Sequence, residues 1–210
     1  NKVKLIIILR ITENSSNQVL HWLSSSDGSS NDADFYGNTV ITNNEWHHAA
    51  ATRDSSNTIR LFLDGVLQSS TASQSSTYTG THEFMIGANG TSGIQQYMDG
   101  FISNVRFIKG TALYTGSSYT APTAPLTAVT NTKLLTCCSN RYRDKSSSSH
   151  FIRSSQDLAS GEPHIKPFSP FNPSEAYSAS VKGGSAEFDQ EQTTYLDITD
   201  STDFDFGEGD

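Results

Sequence analysis

Apolar and polar residues alternate in short runs along most of the chain, which is the pattern of β-strands with one buried face. The clearest runs are residues 45–53, around Trp46, and residues 58–64, which lead into Asp64-Gly65, a strong hairpin-turn signal. Polar Ser and Asn residues separate these two runs, so we expect them to form an antiparallel hairpin. No stretch of a dozen residues repeats its apolar positions with a helical period, and the pattern therefore favours strands throughout.

Further strands are predicted wherever alternating residues are bounded by clusters of Gly, Asn and Ser, at the spacing typical of a sandwich. The predicted strands are residues 2–12, 18–23, 34–36, 45–53, 58–64, 83–88 and 100–108. The most apolar run, residues 3–11, is too short to span a bilayer, and we expect it to be a buried strand.

The composition agrees with an all-β fold. The 210 residues suffice for one large β-sandwich or two small domains. Hydrophobic residues make up 34% and charged residues 17%, and most of the rest is Ser, Thr, Asn and Gly, which favours short strands with polar turns over helices. The chain starts without Met and stops in mid-pattern, so we expect it to be a piece of a longer protein.

Charge and cysteine content narrow the possible functions. The formal net charge of −8, without any basic cluster, argues against binding to nucleic acids or anionic membranes. Cys137 and Cys138 are adjacent, so they provide no disulfide framework, and no His-rich set accompanies them to make a zinc site.

Two motifs carry a family resemblance. The pattern Trp46-His47-x-x-Ala50-x-x-Arg53, followed by a strand that closes in Asp-Gly, resembles the laminin G-like and pentraxin-like branch of the concanavalin A-like jelly rolls. Residues 98–107 similarly resemble the last strand of laminin G-like modules. The resemblance implies an antiparallel two-sheet jelly-roll sandwich, and a module for binding and building rather than a catalyst.

The domain organisation follows from a second resemblance. Residues 109–125 look like the exit of such modules in phage and marine viral structural proteins, where a proline-bearing connector leads into another copy. The segments 183–189 and 195–201 resemble the first half of the same kind of module. We therefore predict that residues 1–124 are a C-terminal half-module, residues 125–132 a connector and residues 133–210 an N-terminal half-module.

The two halves would together make one sandwich. We expect residues 133–210 to close onto their own chain in circularly permuted order, because the termini of a sandwich often lie close together. In the alternative, this half completes a neighbouring chain and produces a swapped polymer.

A catalytic alternative comes from residues 187–191. Their sequence, E-F-D-Q-E, resembles the motif of laminarinase-type and lichenase-type glycoside hydrolases, in which Glu187 would be the nucleophile, Glu191 the acid/base and Asp189 the residue that tunes their ionisation. The residues around the motif match the non-catalytic module better, with Glu191 in a turn. The chain also has only Trp22 and Trp46 for sugar stacking. We therefore predict no enzymatic activity.

A calcium site is a further candidate, because laminin G-like modules often hold one ion at the rim. The predicted ligands for Ca²⁺ are Asp27, Asp32 and Asp34 in the loop of residues 26–34. The loop lacks EF-hand spacing, and the alternative is a hydrophilic hairpin loop.

Loop tyrosines are the candidates for contact with a sugar. The predicted ligand-binding residues are Tyr36, Tyr78, Tyr97 and Tyr114, while His47 and His48 are expected to be structural. The resemblance thus implies a non-catalytic carbohydrate-binding, protein-binding or structural module of a viral fibre or surface protein. A glycan, a surface protein or further copies in an array are the expected partners, at the virion or extracellular surface.

Overall fold

The computed structural model of the chain describes residues 6–77, 83–90, 94–139, 141–154, 163–172 and 184–205. These residues form fourteen β-strands and one short 3-10 helix, without an α-helix, and every strand pair is antiparallel. The predicted all-β class, consistent with a jelly-roll sandwich, is confirmed. None of the described helical residues forms a segment with the length and apolar character needed to cross a bilayer.

The chain divides into two compact units, each made of segments that are discontinuous in sequence. The first unit comprises Asn1–Thr81, Gly110–Pro122 and Asp205–Asp210, and the second comprises His82–Lys109 and Thr123–Phe204.

The described strands are numbered in chain order. The first unit contains β1 (Ile6–Asn14), β2 (Asn17–Ser25), β3 (Ala33–Tyr36), β4 (Ala49–Arg53), β5 (Thr58–Leu63) and β6 (Val66–Ser73). The second contains β7 (Phe84–Ile86), β8 (Gly100–Ile102), β9 (Val105–Ile108), β10 (Thr132–Thr136), β11 (Ile152–Ser154), β12 (His164–Lys166), β13 (Ser185–Phe188), β14 (Leu196–Ile198) and the 3-10 helix Thr202–Phe204.

The first unit packs two three-stranded sheets, β1–β2–β3 and β4–β5–β6, around one apolar cluster. Strand β5 shows the basis of this packing, because Ile59, Leu61 and Leu63 alternate toward the cluster and are almost fully buried. Trp22 on β2 belongs to the same cluster, whereas Trp46 is only half-buried and precedes β4.

Two tight turns in the first unit match the sequence pattern. Asp64 and Gly65 join β5 to β6 with φ angles of 50° and 83°, the left-handed conformation that a two-residue hairpin turn requires. Ser15 and Ser16 join β1 to β2 in the same way, with φ angles of 52° and 71°. The Asp-Gly turn predicted from sequence is therefore confirmed.

In the second unit, each of three sheets joins strands from before residue 109 to strands from after residue 131. The sheets are β11–β14–β7, β12–β13–β8 and β10–β9. Ile86 lies opposite Leu196, Ile102 opposite Ala186 and Phe107 opposite Leu134. Their core contains the buried residues Ile86, Leu134, Cys137, Ile152, Ala186, Phe188, Leu196 and Ile198. These pairs lie within one chain, while circular permutation of a module stays a prediction.

Three predicted strands differ from those observed. The strand expected at residues 45–53 begins only at Ala49, so Trp46 lies ahead of it. The strand expected at residues 100–108 is split into β8 and β9, because Asn104 has a φ of 58° between them. The strand expected to be buried at residues 3–11 exposes Leu9 and Ile11, which are 42% and 49% accessible, while Arg10 between them is half-buried.

Candidate functional site

A shallow pocket of about 240 Å³ lies beside the sheet β12–β13–β8 in the second unit. Its lining includes Asp99, Phe101, His164, Glu187, Asp189 and Gln192. Strand alternation explains why polar groups reach this surface, since Ala186 and Phe188 face the core and Glu187 between them points the opposite way.

Three pocket side chains come from three neighbouring strands. Glu187 on β13 lies directly opposite His164 on β12 and directly opposite Phe101 on β8. Directly opposed residues of an antiparallel sheet project from the same face, about 5 Å apart at their Cβ atoms. The sheet therefore presents an imidazole, a carboxylate and an aromatic ring in one row.

The charges of the pocket are predominantly negative. Glu187 pairs through Oε2 with Lys166 Nζ at 2.9 Å and with His164 Nδ1 at 3.5 Å. Asp189 Oδ1 accepts hydrogen bonds from the backbone amides of Glu191, at 2.8 Å, and of Gln192. Asp99 is exposed and has no hydrogen-bond or ion-pair partner among the residues that the structure describes.

Phe101 supplies the aromatic surface of the pocket. Its side chain is 37% exposed, and its ring packs edge-on against Phe168 with the ring centroids 4.6 Å apart. In the strand predicted at residues 100–108, alternation would put Phe101 on one face with Phe107, which instead packs against the core. The bend at Asn104 separates the two rings, and no local alternation signal reveals such a bend.

The predicted tyrosines are dispersed, and two of them pack on other rings within the first unit. Tyr36 stacks on His21 with ring centroids 4.2 Å apart. Tyr114 stacks on Tyr119 at 3.6 Å and lies near Phe62. The structure does not bring these two tyrosines to the pocket described above.

The other two predicted tyrosines belong to the second unit or lie outside the described residues. Tyr97 donates a hydrogen bond to the carbonyl oxygen of Ile94 at 3.1 Å, and its ring centroid is 6.4 Å from that of Tyr195. Tyr97 is not among the residues that line the pocket. Tyr78 lies outside the described residues.

Two of the three acids predicted to bind calcium, Asp27 and Asp32, are engaged with their own loop. Asp27 accepts hydrogen bonds from the amides of Ser30 and Ser29, at 2.9 and 2.8 Å, and these bonds hold the pKa of its carboxyl well below the usual range. Asp32 accepts a hydrogen bond from the amide of Ser26.

The third predicted calcium ligand points to a buried histidine. Asp34 Oδ1 lies 2.7 Å from His21 Nε2, and Asp34 Oδ2 accepts a hydrogen bond from Asn31. The described residues contain no group of three His, Cys, Asp or Glu side chains that could hold a metal ion. The calcium site stays a prediction.

The predicted hydrolase motif is divided between a strand and a turn. Strand β13 ends at Phe188, so Glu187 belongs to the strand while Asp189 follows it. Glu191 is exposed in the next turn, as predicted from the sequence. Glu187 and Asp189 both line the pocket.

Comparison with known families adds one finding. A laminin G family model, described as the concanavalin A-like lectin/glucanases superfamily, matches residues 6–113, just over half of the chain. No match is found among curated proteins or among solved structures. Because the matched segment spans most of the first unit and strands β7 to β9 of the second, the chain belongs to the concanavalin A-like lectin/glucanase superfamily.

Proposed function

We propose that this protein is a non-catalytic carbohydrate-binding module and that the pocket beside β12–β13–β8 receives a sugar. The observation that carries the proposal is the exposed ring of Phe101 next to the carboxylate of Glu187 on the neighbouring strand. An aromatic ring can pack against the apolar face of a sugar, while a few polar groups fix the orientation of its hydroxyls. Membership of a superfamily named for lectins fits this role.

The arrangement of the carboxylates favours binding over hydrolysis. A glycosidase needs two carboxyl groups free to act on opposite sides of the scissile bond. Here Glu187 is ion-paired with Lys166, and Asp189 accepts hydrogen bonds from its own turn. The alternative is a laminarinase-type hydrolase that uses Glu187, Asp189 and Glu191, supported by the presence of Glu187 and Asp189 in the pocket. Reducing-sugar release from a β-glucan, abolished by Glu187→Gln, would favour the hydrolase.

The binding proposal is tested by removing the aromatic surface. In a glycan-array screen followed by calorimetry, we expect Phe101→Ala to weaken binding of the best glycan about tenfold, because an aromatic contact contributes on the order of 1–1.5 kcal/mol. Phe151→Ala is the matched control, since Phe151 is also in the second unit, is 75% exposed and does not line the pocket.

The outcome of this test is clear-cut when both variants unfold at the temperature of the wild-type protein. Equal affinity of Phe101→Ala and wild-type protein would contradict a sugar site at this pocket. Absence of binding to every glycan on the array would contradict the proposed function itself.

The setting of the module is also a proposal. A viral fibre or surface protein at the virion or extracellular surface is supported by the resemblance of residues 109–125 to the exits of viral structural modules. Association of copies in an array, the structural alternative, is supported by β1, which lies at the edge of its described sheet with Leu9 and Ile11 exposed. Concentration-dependent light scattering distinguishes such association from a monomeric binding module.

A further inference from the structure

We propose that the pocket selects a cationic amino sugar, a hexosamine with a free protonated amine, over neutral, N-acetylated and acidic sugars. This inference rests on the proposed carbohydrate site and names the class of ligand that the site takes.

The charge of the pocket favours a cationic ligand. Asp99, Glu187 and Asp189 line it, and among the residues that the structure describes Lys166 is the one lysine or arginine paired with them, through Glu187. His164 adds a positive charge only when it is protonated. The whole chain carries a formal charge of −8, so the long-range field attracts cations as well. An acidic sugar would meet repulsion both at a distance and in the pocket.

The position of Phe101 beside Glu187 favours a sugar that carries a positive charge. The face of an aromatic ring attracts a cation, and the carboxylate of Glu187 projects beside this ring from the opposed position on β13. A sugar that packs on Phe101 can therefore direct an ammonium group to a carboxylate without leaving the ring. The hydrogen bonds of an ammonium to a carboxylate are charge-assisted and roughly twice as strong as neutral ones. Acetylation of the amine removes this charge.

The carboxylates of Asp99 and Glu187 differ in how readily a ligand ammonium can reach them. Asp99 has no partner among the described residues, and its exposed carboxylate can accept a ligand ammonium directly. Glu187 already contacts Lys166, so a ligand amine competes with this lysine for the same carboxylate. Removing the lysine charge should therefore strengthen binding of the amino sugar, which is an uncommon direction for a substitution beside a binding site.

The experiment compares four tetrasaccharides by calorimetry on the full chain: a glucosamine tetramer, its fully N-acetylated form, cellotetraose and a tetragalacturonate. We expect the glucosamine tetramer to bind about fivefold or more tighter than cellotetraose, since one added charge-assisted contact is worth about 1 kcal/mol when partly exposed. We expect the galacturonate to bind most weakly. Raising the ionic strength should reduce the preference for the amine, because salt screens exposed charges.

Variants separate the local charge from the net charge of the protein. Asp99→Asn should lower the ratio of glucosamine to cellotetraose affinity severalfold, and Lys166→Gln should raise it. Lys145→Gln is the matched control, because it makes the same change in net charge from an exposed position in the second unit outside the pocket. This control should leave the ratio near that of the wild-type protein.

Each result bears on the inference. Equal affinity for the glucosamine tetramer and cellotetraose, or tighter binding of the galacturonate, overturns the selectivity while leaving the proposed sugar-binding function intact. A rise in the affinity ratio with Lys145→Gln equal to that with Lys166→Gln overturns the assignment to this pocket. Absence of binding to all four sugars overturns the selectivity and counts against the proposed function as well.

Discussion

His21 lies on β2 between Leu20 and Trp22, which face the core of the first unit, so its own side chain points to the opposite face of the sheet. It is nevertheless almost fully buried. Arg10 Nε donates a hydrogen bond to His21 Nδ1 at 2.9 Å, so Nδ1 is an acceptor and the ring proton is on Nε2. His21 Nε2 lies 2.7 Å from Asp34 Oδ1 and donates to it. The ring of Tyr36 covers the imidazole from outside. One face of Tyr36 is thus occupied by protein, which gives this tyrosine a supporting role that its sequence position does not indicate.

Cys137 provides a prediction about chemical reactivity. Burial raises the pKa of its thiol to about 12, and the thiolate is the reactive species. We predict that iodoacetamide at pH 8 modifies Cys137 far more slowly in the native protein than in urea, as measured by mass spectrometry of the labelled peptide. Rapid labelling of Cys137 under native conditions, with the far-UV circular dichroism unchanged, would contradict this burial.

The same shift has a consequence for stability. Because the folded pKa lies above the value of about 8.5 for an unfolded thiol, the contribution of Cys137 is fully present below that pH and declines as the pH rises toward 12. The free energy of unfolding should therefore fall more steeply between pH 9 and pH 12 in the wild-type protein than in Cys137→Ala.

At the scale of elements, the segment Gly110–Pro122 covers the outer face of the sheet β4–β5–β6 within the first unit. Phe62 on β5 points away from the apolar cluster, yet it is fully buried because the rings of Tyr114 and Tyr119 lie 6.1 and 5.3 Å from it. The hydroxyl of Tyr119 lies 2.7 Å from His48 Nδ1. Tyr114 therefore helps to hold this segment on the sheet.

Gly65 is the position where this segment most tightly constrains the sequence. Tyr119 donates its amide to the carbonyl oxygen of Gly65 at 2.8 Å, and a Cβ added at Gly65 would lie 2.1 Å from the carbonyl oxygen of Tyr119. Gly65→Ala must displace the segment and also bear a φ of 83°. We predict a loss of about 2–4 kcal/mol in the free energy of unfolding, measured with urea.

Gly116→Ala is the control for this prediction. A Cβ at Gly116 would come no nearer than 3.8 Å to Ser118, an ordinary contact, so the expected change is within about 0.5 kcal/mol. If Gly65→Ala lowered the free energy of unfolding by no more than Gly116→Ala does, the segment would not be held against the β5–β6 turn.

The elements that sequence reasoning predicted best are those whose signals are local. Strand β5 and the Asp64-Gly65 turn follow directly from alternation and from a dipeptide that accepts positive φ. Strands β11 and β12 were missed because each has three residues and is defined by a partner strand that is distant in sequence. The split at Asn104 was missed because one left-handed residue resets the faces of the strand that follows.

The same limit applies to the site. Spacing identified Glu187 and Asp189 as notable acids, and both line the pocket. It could not show that Phe101 stands beside them, because that contact depends on the pairing of β8 with β13 across more than eighty residues. Nor could spacing show that Asp27 turns to its own loop amides, since a carboxylate's orientation depends on local turn geometry.

For the whole molecule, the second unit depends on two segments that are distant in sequence. Strands β7, β8 and β9 come before residue 109, and each pairs with a strand that comes after residue 131. Separated from these partners, the early strands would expose unpaired backbone groups and the apolar side chains of Ile86, Ile102 and Phe107. Folding of this unit therefore requires both halves of the chain.

Fragment complementation tests this dependence and the predicted closure of residues 133–210 onto their own chain. We expect fragments 1–124 and 125–210, when co-expressed, to copurify as a one-to-one complex, and each alone to aggregate. Ala186→Glu should abolish copurification because Ala186 is buried at the β13–β8 pair, whereas Glu191→Ala, in the exposed turn, should not. If the fragments fail to associate, or if the intact chain elutes only as a polymer whose assembly Ala186→Glu blocks, the C-terminal half is supplied to a neighbouring chain and the intramolecular closure is wrong.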